Sequence, residues 1–125
     1  MLAVDSSTLI PYLAGEQGSD IDALDIALQA KQVALPPVVL CEMLSDPKVP
    51  ERVSKVLKSL PQLAIGTGYW ERAGLLRAKI LAQNRKARLA DALIVQVCLD
   101  HDVPLIARDR DFRHFARVSN LRLLP

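Results

Sequence analysis

The segment from Arg88 to Phe115 (RLADALIVQVCLDHDVPLIARDRDFRHF) carries two aspartates in apolar surroundings. Asp91 opens an apolar run typical of a helix, and Asp109 follows a hydrophobic segment typical of a strand. A carboxylate beside buried segments is costly unless something compensates its charge. Both also have an ordinary structural explanation, because an acid suits the first turn of a helix and Asp109 suits a turn. The pattern therefore indicates a site that further acids of the chain could share.

Two acids in the first third of the chain have the same character. Asp5 follows the apolar residues 2–4 and precedes two serines, an arrangement that is also typical of a helix N-cap. Glu42 lies within the apolar run VVLCEML and has no Lys or Arg three or four residues away to pair with it. Partial exposure is the ordinary alternative for Glu42.

Together, the four acids predict chemistry that depends on a metal ion. Converging carboxylates repel one another, so at least one must take up a proton unless a cation is present. Mg²⁺ or Mn²⁺ prefers oxygen ligands and is commonly held by carboxylates together with substrate phosphates. Such an ion activates water and stabilises charge on a phosphoryl group, which favours phosphodiester hydrolysis. The sequence contains neither a nucleotide-binding glycine loop nor a nucleophile elbow.

Short apolar strands alternate with helices along the chain. We predict strands at 2–4, 33–35, 62–65, 103–107 and 121–124, and helices near 6–15, 18–31, 36–46, 50–61, 68–84, 88–101 and 110–116. We expect the helix near 68–84 to bury Trp70, and the helix near 50–61 to place Val56 and Leu57 on one apolar face. This order predicts one α/β domain over 1–125, a three-layer α/β/α sandwich around a mostly parallel sheet. In such sheets ligands bind beyond the carboxyl ends of the strands, where Asp5 and Asp109 would lie.

Composition agrees with a soluble, cytoplasmic protein of 125 residues. No apolar run approaches the roughly 18–20 residues of a membrane span. Cys41 and Cys98 stand alone in apolar segments, so we expect both to be buried thiols in a reducing compartment. Residues 1–46 hold seven acids and one base, a net −6, whereas residues 47–125 hold fifteen bases and seven acids, a net +8. A basic half favours an anionic partner such as nucleic acid.

The chain resembles the PIN-domain ribonucleases, and within them the VapC-type toxins of type II toxin–antitoxin pairs. Three segments carry the resemblance: LAVDSSTLI, VVLCEML and RLADALIVQVCLDHDVPLIARDRDF. They resemble the family's first strand with its Asp, its Glu-bearing helix, and its Asp-led helix followed by a strand and an acidic loop. The resemblance runs nearly end to end.

The resemblance implies a set of site residues. Asp5, Glu42, Asp91 and Asp109 would be the catalytic acids that bind Mg²⁺ or Mn²⁺, and Ser7 would orient a carboxylate or a water. The last loop departs from the family pattern, with Ala107 in place of a hydroxyl residue, and Asp111 is a second candidate for the final acid. Basic side chains near the acids could hold the RNA backbone: Arg88, Arg108 and Arg110.

The resemblance also implies activity and partners. The expected function is metal-dependent endoribonucleolytic cleavage of RNA by a homodimer that a cognate antitoxin neutralises. Three alternatives stay open: a non-catalytic PIN-like scaffold or RNA-binding module, a solitary nuclease without an antitoxin, and a phosphorelay receiver domain. A receiver domain needs a pair of acids after its first strand and a lysine after its last one. It is disfavoured because Asp5 is followed by serines and the segment 121–125 contains no lysine.

Overall fold

The structure, a computed structural model, describes residues 1–124. Four strands form one sheet: β1 (Leu2–Val4), β2 (Val33–Ala34), β3 (Leu105–Ile106) and β4 (Leu123–Leu124). The helices are α1 (Ser6–Leu13), α2 (Ser19–Gln29), α3 (Pro37–Leu44), α4 (Glu51–Ser59), α5 (Tyr69–Leu81), α6 (Leu89–His101) and α7 (Phe112–Arg117).

The sheet is entirely parallel, with strand order β2-β1-β3-β4. Helices α1 and α2 pack together, and so do α5, α6 and α7. Because crossovers between parallel strands are right-handed, α1 and α2 are assigned to one face of the sheet and the helices between β2 and β4 to the other. The predicted three-layer α/β/α fold is therefore confirmed. Because the chain leaves β1 first towards β2 and later returns to β3 on its other side, the strand order reverses between β1 and β3. In parallel sheets this reversal opens a crevice at the carboxyl edge.

The core lies between the sheet and its two helix layers. The central strands contribute fully buried side chains such as Val4 and Ile106, and Phe112 and Phe115 of α7 are equally inaccessible. Helix α6 is the most enclosed helix, with buried residues from Asp91 to Cys98. A helix that is apolar on nearly all sides belongs in the interior, and its position brings Asp91 to the edge of the sheet.

Helix periodicity explains where two predictions of burial were wrong. Trp70 was expected inside α5 but is 66% exposed, because the buried face begins one residue earlier with Tyr69. Tyr69 donates a hydrogen bond to the carbonyl of Leu93 at 2.5 Å. Cys41 is also exposed, whereas Cys98 is buried as expected. Helix α3 buries Val39 and Met43, four residues apart, which turns Cys41 away from the core.

The segment 62–65 was predicted as a strand, and this was wrong. Only Gln62 forms a single bridge, parallel to Leu35, and the segment continues as a loop towards α5. In α4, Val56 is half exposed although its spacing with Leu57 predicted a shared apolar face. Within residues 1–124, no helix is both long and apolar enough to cross a membrane.

Candidate active site

Four acids line one cavity of about 220 Å³ at the carboxyl edge of the sheet, where the strand order reverses. They are Asp5, Glu42, Asp91 and Asp109. They come from the end of β1, from α3, from the first turn of α6 and from the loop after β3. The other lining residues are Ser6, Ser7, Ile10, Arg88 and Ala90. The fold thus brings together all four acids that the sequence singled out.

Asp5 combines a capping role with a place in the cavity. Its backbone N–H donates to the carbonyl of Ile106 at 2.9 Å, which joins the ends of β1 and β3. Its carboxylate accepts a hydrogen bond from the Ser7 backbone N–H at 3.0 Å and caps α1. The residue is 5% exposed. The capping explanation and the site explanation are therefore compatible, since one carboxylate oxygen can cap while the other faces the cavity.

Asp91 lies in the first turn of α6 and is also 5% exposed. Its carboxylate accepts a hydrogen bond from Arg88 Nε at 3.1 Å. Burial raises the pKa of Asp91 above its ordinary value, and this effect outweighs the opposing influence of Arg88. The negative charges of Asp5 and Asp109 raise that pKa further. The ionised form of Asp91 is therefore disfavoured in the cavity unless more positive charge is supplied.

Asp109, and not Asp111, faces the other acids. One Asp109 carboxylate oxygen accepts from the Asp111 backbone N–H at 2.9 Å, and the other forms an ion pair with Arg88. Asp111 instead precedes α7 and lies 3.8 Å from the Lys86 ammonium. Of these two candidates, only Asp109 lines the cavity.

Glu42 differs from the other three acids, because its carboxylate has no direct partner within the described part of the chain. Its carboxylate forms no ion pair and accepts no hydrogen bond within residues 1–124. Partial burial raises the pKa of Glu42, and the charges of Asp5 and Asp91 raise it further. The side chain is exposed overall, as the ordinary alternative expected, but it also contributes to the cavity. Glu42 is therefore available to a cation that enters from solvent.

Ser7 supports the loop that carries Asp109. Its hydroxyl oxygen accepts hydrogen bonds from the backbone N–H groups of Arg108 at 2.9 Å and Asp109 at 3.1 Å. These bonds join the start of α1 to the loop after β3, 101 and 102 residues apart in sequence. Ser7 thus orients Asp109 through the backbone and does not contact its carboxylate directly.

The three candidate arginines lie in different environments. Arg108 is held by Asp20 through two contacts of 2.9 and 3.0 Å and approaches Glu16 at 3.6 Å, so its guanidinium is already occupied. Arg88 pairs with Asp91 and Asp109 inside the cavity. Arg110 is exposed and forms no side-chain ion pair within the described part of the chain.

Sequence reasoning missed the role of Asp20, which holds Arg108. The Asp20 carboxylate also accepts a hydrogen bond from the buried Thr8 hydroxyl at 3.0 Å. Hydrogen bonding to Arg108 lowers the pKa of Asp20, and the bond from Thr8 adds to this effect against the opposing influence of burial. The only sequence signal for Asp20 is an acid in the first turn of α2, which carries no information about a partner 88 residues away.

The donor set fits a hard divalent cation. All four candidates are carboxylates, which Mg²⁺ and Mn²⁺ favour, and the charge of Arg88 alone does not balance them. As the side chains stand, no three acidic, histidine or cysteine side chains within residues 1–124 are close enough together to hold one ion. Arg88 lies against Asp91 and Asp109 in this arrangement. Those two acids with Asp5 and Glu42 are the residues that could hold an ion.

Similar proteins were found by sequence and by structure. The sequence matches the PIN domain family over residues 2–118. Ribonuclease VapC11 of Mycobacterium tuberculosis and VapC ribonuclease Mb1587 of Mycobacterium bovis are each 24% identical to the chain over 131 residues, covering 98% of the chain and 96% of each relative.

Solved toxin–antitoxin structures share the fold. VapBC2 from Rickettsia felis, bound to a DNA fragment from its promoter, has a TM-score of 0.76 at 18% identity and covers 98% of this chain and 96% of that one. DNA-bound VapBC from Salmonella typhimurium has a TM-score of 0.74 at 19% identity, with coverages of 99% and 98%. The family match spans nearly the whole chain and agrees with the observed topology. The protein therefore belongs to the PIN domain family, as its motifs implied.

Proposed function

We propose that the protein is a metal-dependent endoribonuclease and the toxin component of a VapBC-type toxin–antitoxin pair. The observation that carries this proposal is the convergence of four acids from four separate elements on one cavity at the carboxyl edge of the sheet. The names of the relatives, both VapC ribonucleases, support the choice of RNA as substrate.

Asp5, Glu42, Asp91 and Asp109 would hold Mg²⁺ or Mn²⁺. Such an ion would supply Lewis acidity, which activates water and stabilises negative charge on the scissile phosphate. The protein's own part is to hold the acids in place. The cap on α1 positions Asp5, and the Ser7 hydroxyl positions Asp109 through the loop backbone. The carboxylates act mainly as ligands in this proposal.

Basic side chains that follow Asp109 in the chain would contact the RNA backbone. Arg110 and Arg113 are exposed and carry no ion pair within residues 1–124, so each can approach a phosphate without breaking a bond. Arg108 is a weaker candidate than the sequence suggested, because contact with a phosphate would compete with Asp20 and Glu16. RNA binding of this kind should weaken as salt concentration rises.

An antitoxin would bind along the groove that adjoins the cavity. This groove has a volume of about 500 Å³ and shares Ser6, Ile10 and Glu42 with the acidic cavity. Apolar side chains such as Leu13 and Met43 line it beside acidic ones. An amphipathic antitoxin segment that carries an arginine would suit both properties. We also propose a cytoplasmic homodimer, which rests on the family resemblance and is tested by light scattering of the purified protein.

Cleavage of a defined RNA in the presence of Mn²⁺ or Mg²⁺ tests the enzymatic proposal. Wild-type protein should cut internal phosphodiester bonds, and the cleavage should stop when EDTA is added. Asp5→Asn should abolish cleavage, whereas Asp22→Asn, which removes an exposed acid on α2, should not. If Asp5→Asn cuts like wild type, the site assignment is wrong. RNA binding without cleavage in Mn²⁺ would favour the non-catalytic alternative.

Controlled expression in a bacterial host tests the toxin role. Wild-type protein should arrest growth, and Asp5→Asn should relieve the arrest at equal protein level. Co-expression of a small neighbouring gene product should restore growth if it is the antitoxin. Cleavage in vitro without any growth defect would point to a solitary nuclease instead.

A further inference from the structure

Arg88 occupies an unusual position at the start of α6. It is the N-cap residue, but its side chain does not cap the free backbone N–H groups of the first turn. Short polar side chains such as Ser or Asp are favoured there, because they accept from the free backbone N–H groups. A cation is also disfavoured at this end, since the helix dipole makes it positive. The position is thus unfavourable for an arginine unless contacts of its side chain with acids compensate.

Those compensating contacts are with two acids of the cavity. Arg88 Nε donates to the buried Asp91 carboxylate at 3.1 Å, and another guanidinium nitrogen pairs with Asp109. The negative charge of Asp91 raises the pKa of Arg88, and Asp109 adds to this effect. One guanidinium therefore neutralises acids that come from two elements. It does so within the space where a divalent cation would have to reach the same oxygens.

We propose that Arg88 is a displaceable internal counter-ion, which holds Asp91 and Asp109 when no divalent cation is bound and leaves them when one binds. This inference rests on the metal site of the proposed function. Arg88 is then a positioning residue, because it acts through the two aspartates. A divalent ion carries twice its charge and takes several oxygen ligands at once, so the exchange also brings in Asp5 and Glu42.

The surroundings of Arg88 permit this exchange. Its side chain is 53% exposed, compared with 7% for Asp91 and 26% for Asp109. The guanidinium can therefore swing into solvent without opening the core. Ion pairs with an exposed partner are weak, so a cation can displace them at modest cost. The apparent affinity for the cation is reduced by this competition, because the arrangement that binds the ion is only partly populated.

Titration calorimetry of the metal-free protein with Mn²⁺ tests the proposal. Arg88→Gln removes the competing charge, and we expect it to bind Mn²⁺ about fivefold more tightly than wild type. Arg85→Gln is the matched control, because it removes an equal charge three residues before Arg88. The Arg85 side chain forms no ion pair within residues 1–124. Its affinity should stay within about twofold of wild type, as expected for an exposed charge. Equal or weaker Mn²⁺ binding by Arg88→Gln would overturn the counter-ion role.

Nuclear magnetic resonance of the wild-type protein provides a test that does not depend on the folding of a variant. The side-chain Nε–H resonance of Arg88 should change position when diamagnetic Mg²⁺ saturates the protein, because its bond to Asp91 is lost. The corresponding resonance of Arg72, which pairs with Asp100 away from the cavity, should not move. An Arg88 resonance that stays unchanged at saturation would show that the ion pair persists, and the proposal would fail.

The Mn²⁺ titrations distinguish loss of the metal site from loss of the counter-ion role. If neither wild type nor Arg88→Gln binds Mn²⁺, the metal site of the proposed function fails, and the counter-ion role fails with it. If wild type binds Mn²⁺ but Arg88→Gln binds no more tightly, only the counter-ion role is lost.

Discussion

Replacing Asp91 by asparagine should stabilise the metal-free protein. The Asp91 side chain is 7% exposed, and desolvation of a polar group costs about 1–3 kcal/mol, a lower bound for a charged one. The compensating pair with the half-exposed Arg88 is worth only about 0.2–1 kcal/mol. Asparagine keeps the size of the side chain and removes the charge, while Arg88 keeps its pair with Asp109. We therefore expect the free energy of unfolding to rise by about 1 kcal/mol in Asp91→Asn.

Urea unfolding in EDTA measures this difference. The free energy of unfolding typically falls by about 2 kcal/mol per molar urea, so the urea midpoint of Asp91→Asn should lie about 0.5 M above that of the wild type. In Mn²⁺ at a hundred times its dissociation constant, the wild type should gain about 2.7 kcal/mol and the variant much less. The variant should therefore be the more stable protein in EDTA, and the wild type the more stable protein in Mn²⁺.

Asp100→Asn is the matched control on the same helix. Burial raises the pKa of Asp100, but hydrogen bonds from Arg72 and Gln96 outweigh it and lower the pKa overall. Its ionised form is therefore favoured by folding, and its neutralisation should destabilise the protein by about 1 kcal/mol, with or without metal. If Asp91→Asn loses as much stability in EDTA as Asp100→Asn, then Arg88 more than compensates the burial of Asp91, and the reasoning fails.

Three further predictions concern the supports of the site and the core. Ser7→Ala should lower RNA cleavage and Mn²⁺ affinity by about 10–100-fold with little change in fold, measured by cleavage rates, calorimetry and circular dichroism, because the Asp109 loop loses its acceptor. Tyr69→Phe should reduce the free energy of unfolding by about 1 kcal/mol in urea titrations, since the Leu93 carbonyl loses its donor. The raised pKa of Glu42, caused by partial burial and nearby acids, makes the folded state bind more protons just above pH 4.5. Stability in EDTA should therefore fall as pH rises through that window, and Glu42→Gln should flatten the fall.

The fold was predictable because its signals are local. The alternation of apolar strands with helices, and the position of Asp5 directly after the first strand, are visible in sequence and predicted the parallel sheet. The errors occurred where local pattern is ambiguous. Residues 62–65 have strand-like composition but reach only one bridge, since β2 itself is two residues long. In α5 the apolar neighbours Tyr69 and Trp70 compete for one buried position, and only packing decides between them.

The acids of the cavity were predictable, but the contacts among them were not. An acid in an apolar segment without a local partner is conspicuous in sequence, as Glu42 shows. Ion pairing depends instead on side-chain geometry across the fold. Arg108 looked like a phosphate contact in sequence and is occupied by Asp20, 88 residues away. Asp109 and Asp111 are two residues apart and equally acidic, and only the turn after β3 sends them to different places.

These pairings change the meaning of the charge asymmetry along the chain. The excess of basic residues after position 46 suggested a broad surface for a polyanion. However, Arg108 pairs with Glu16 and Asp20, and this holds the loop after β3 against the start of α2. Arg88 pairs with Asp91 inside the acidic cavity. The exposed arginines without an ion pair in the described part of the chain include Arg110 and Arg113. If the protein binds RNA as proposed, the arginines without an ion pair, rather than the total number of basic residues, therefore determine where the RNA backbone is held. Under the proposed function, Arg110 and Arg113 are candidates for phosphate contacts, as are other exposed arginines without an ion pair such as Arg85, and we expect Arg88 to join them only after a cation has released it.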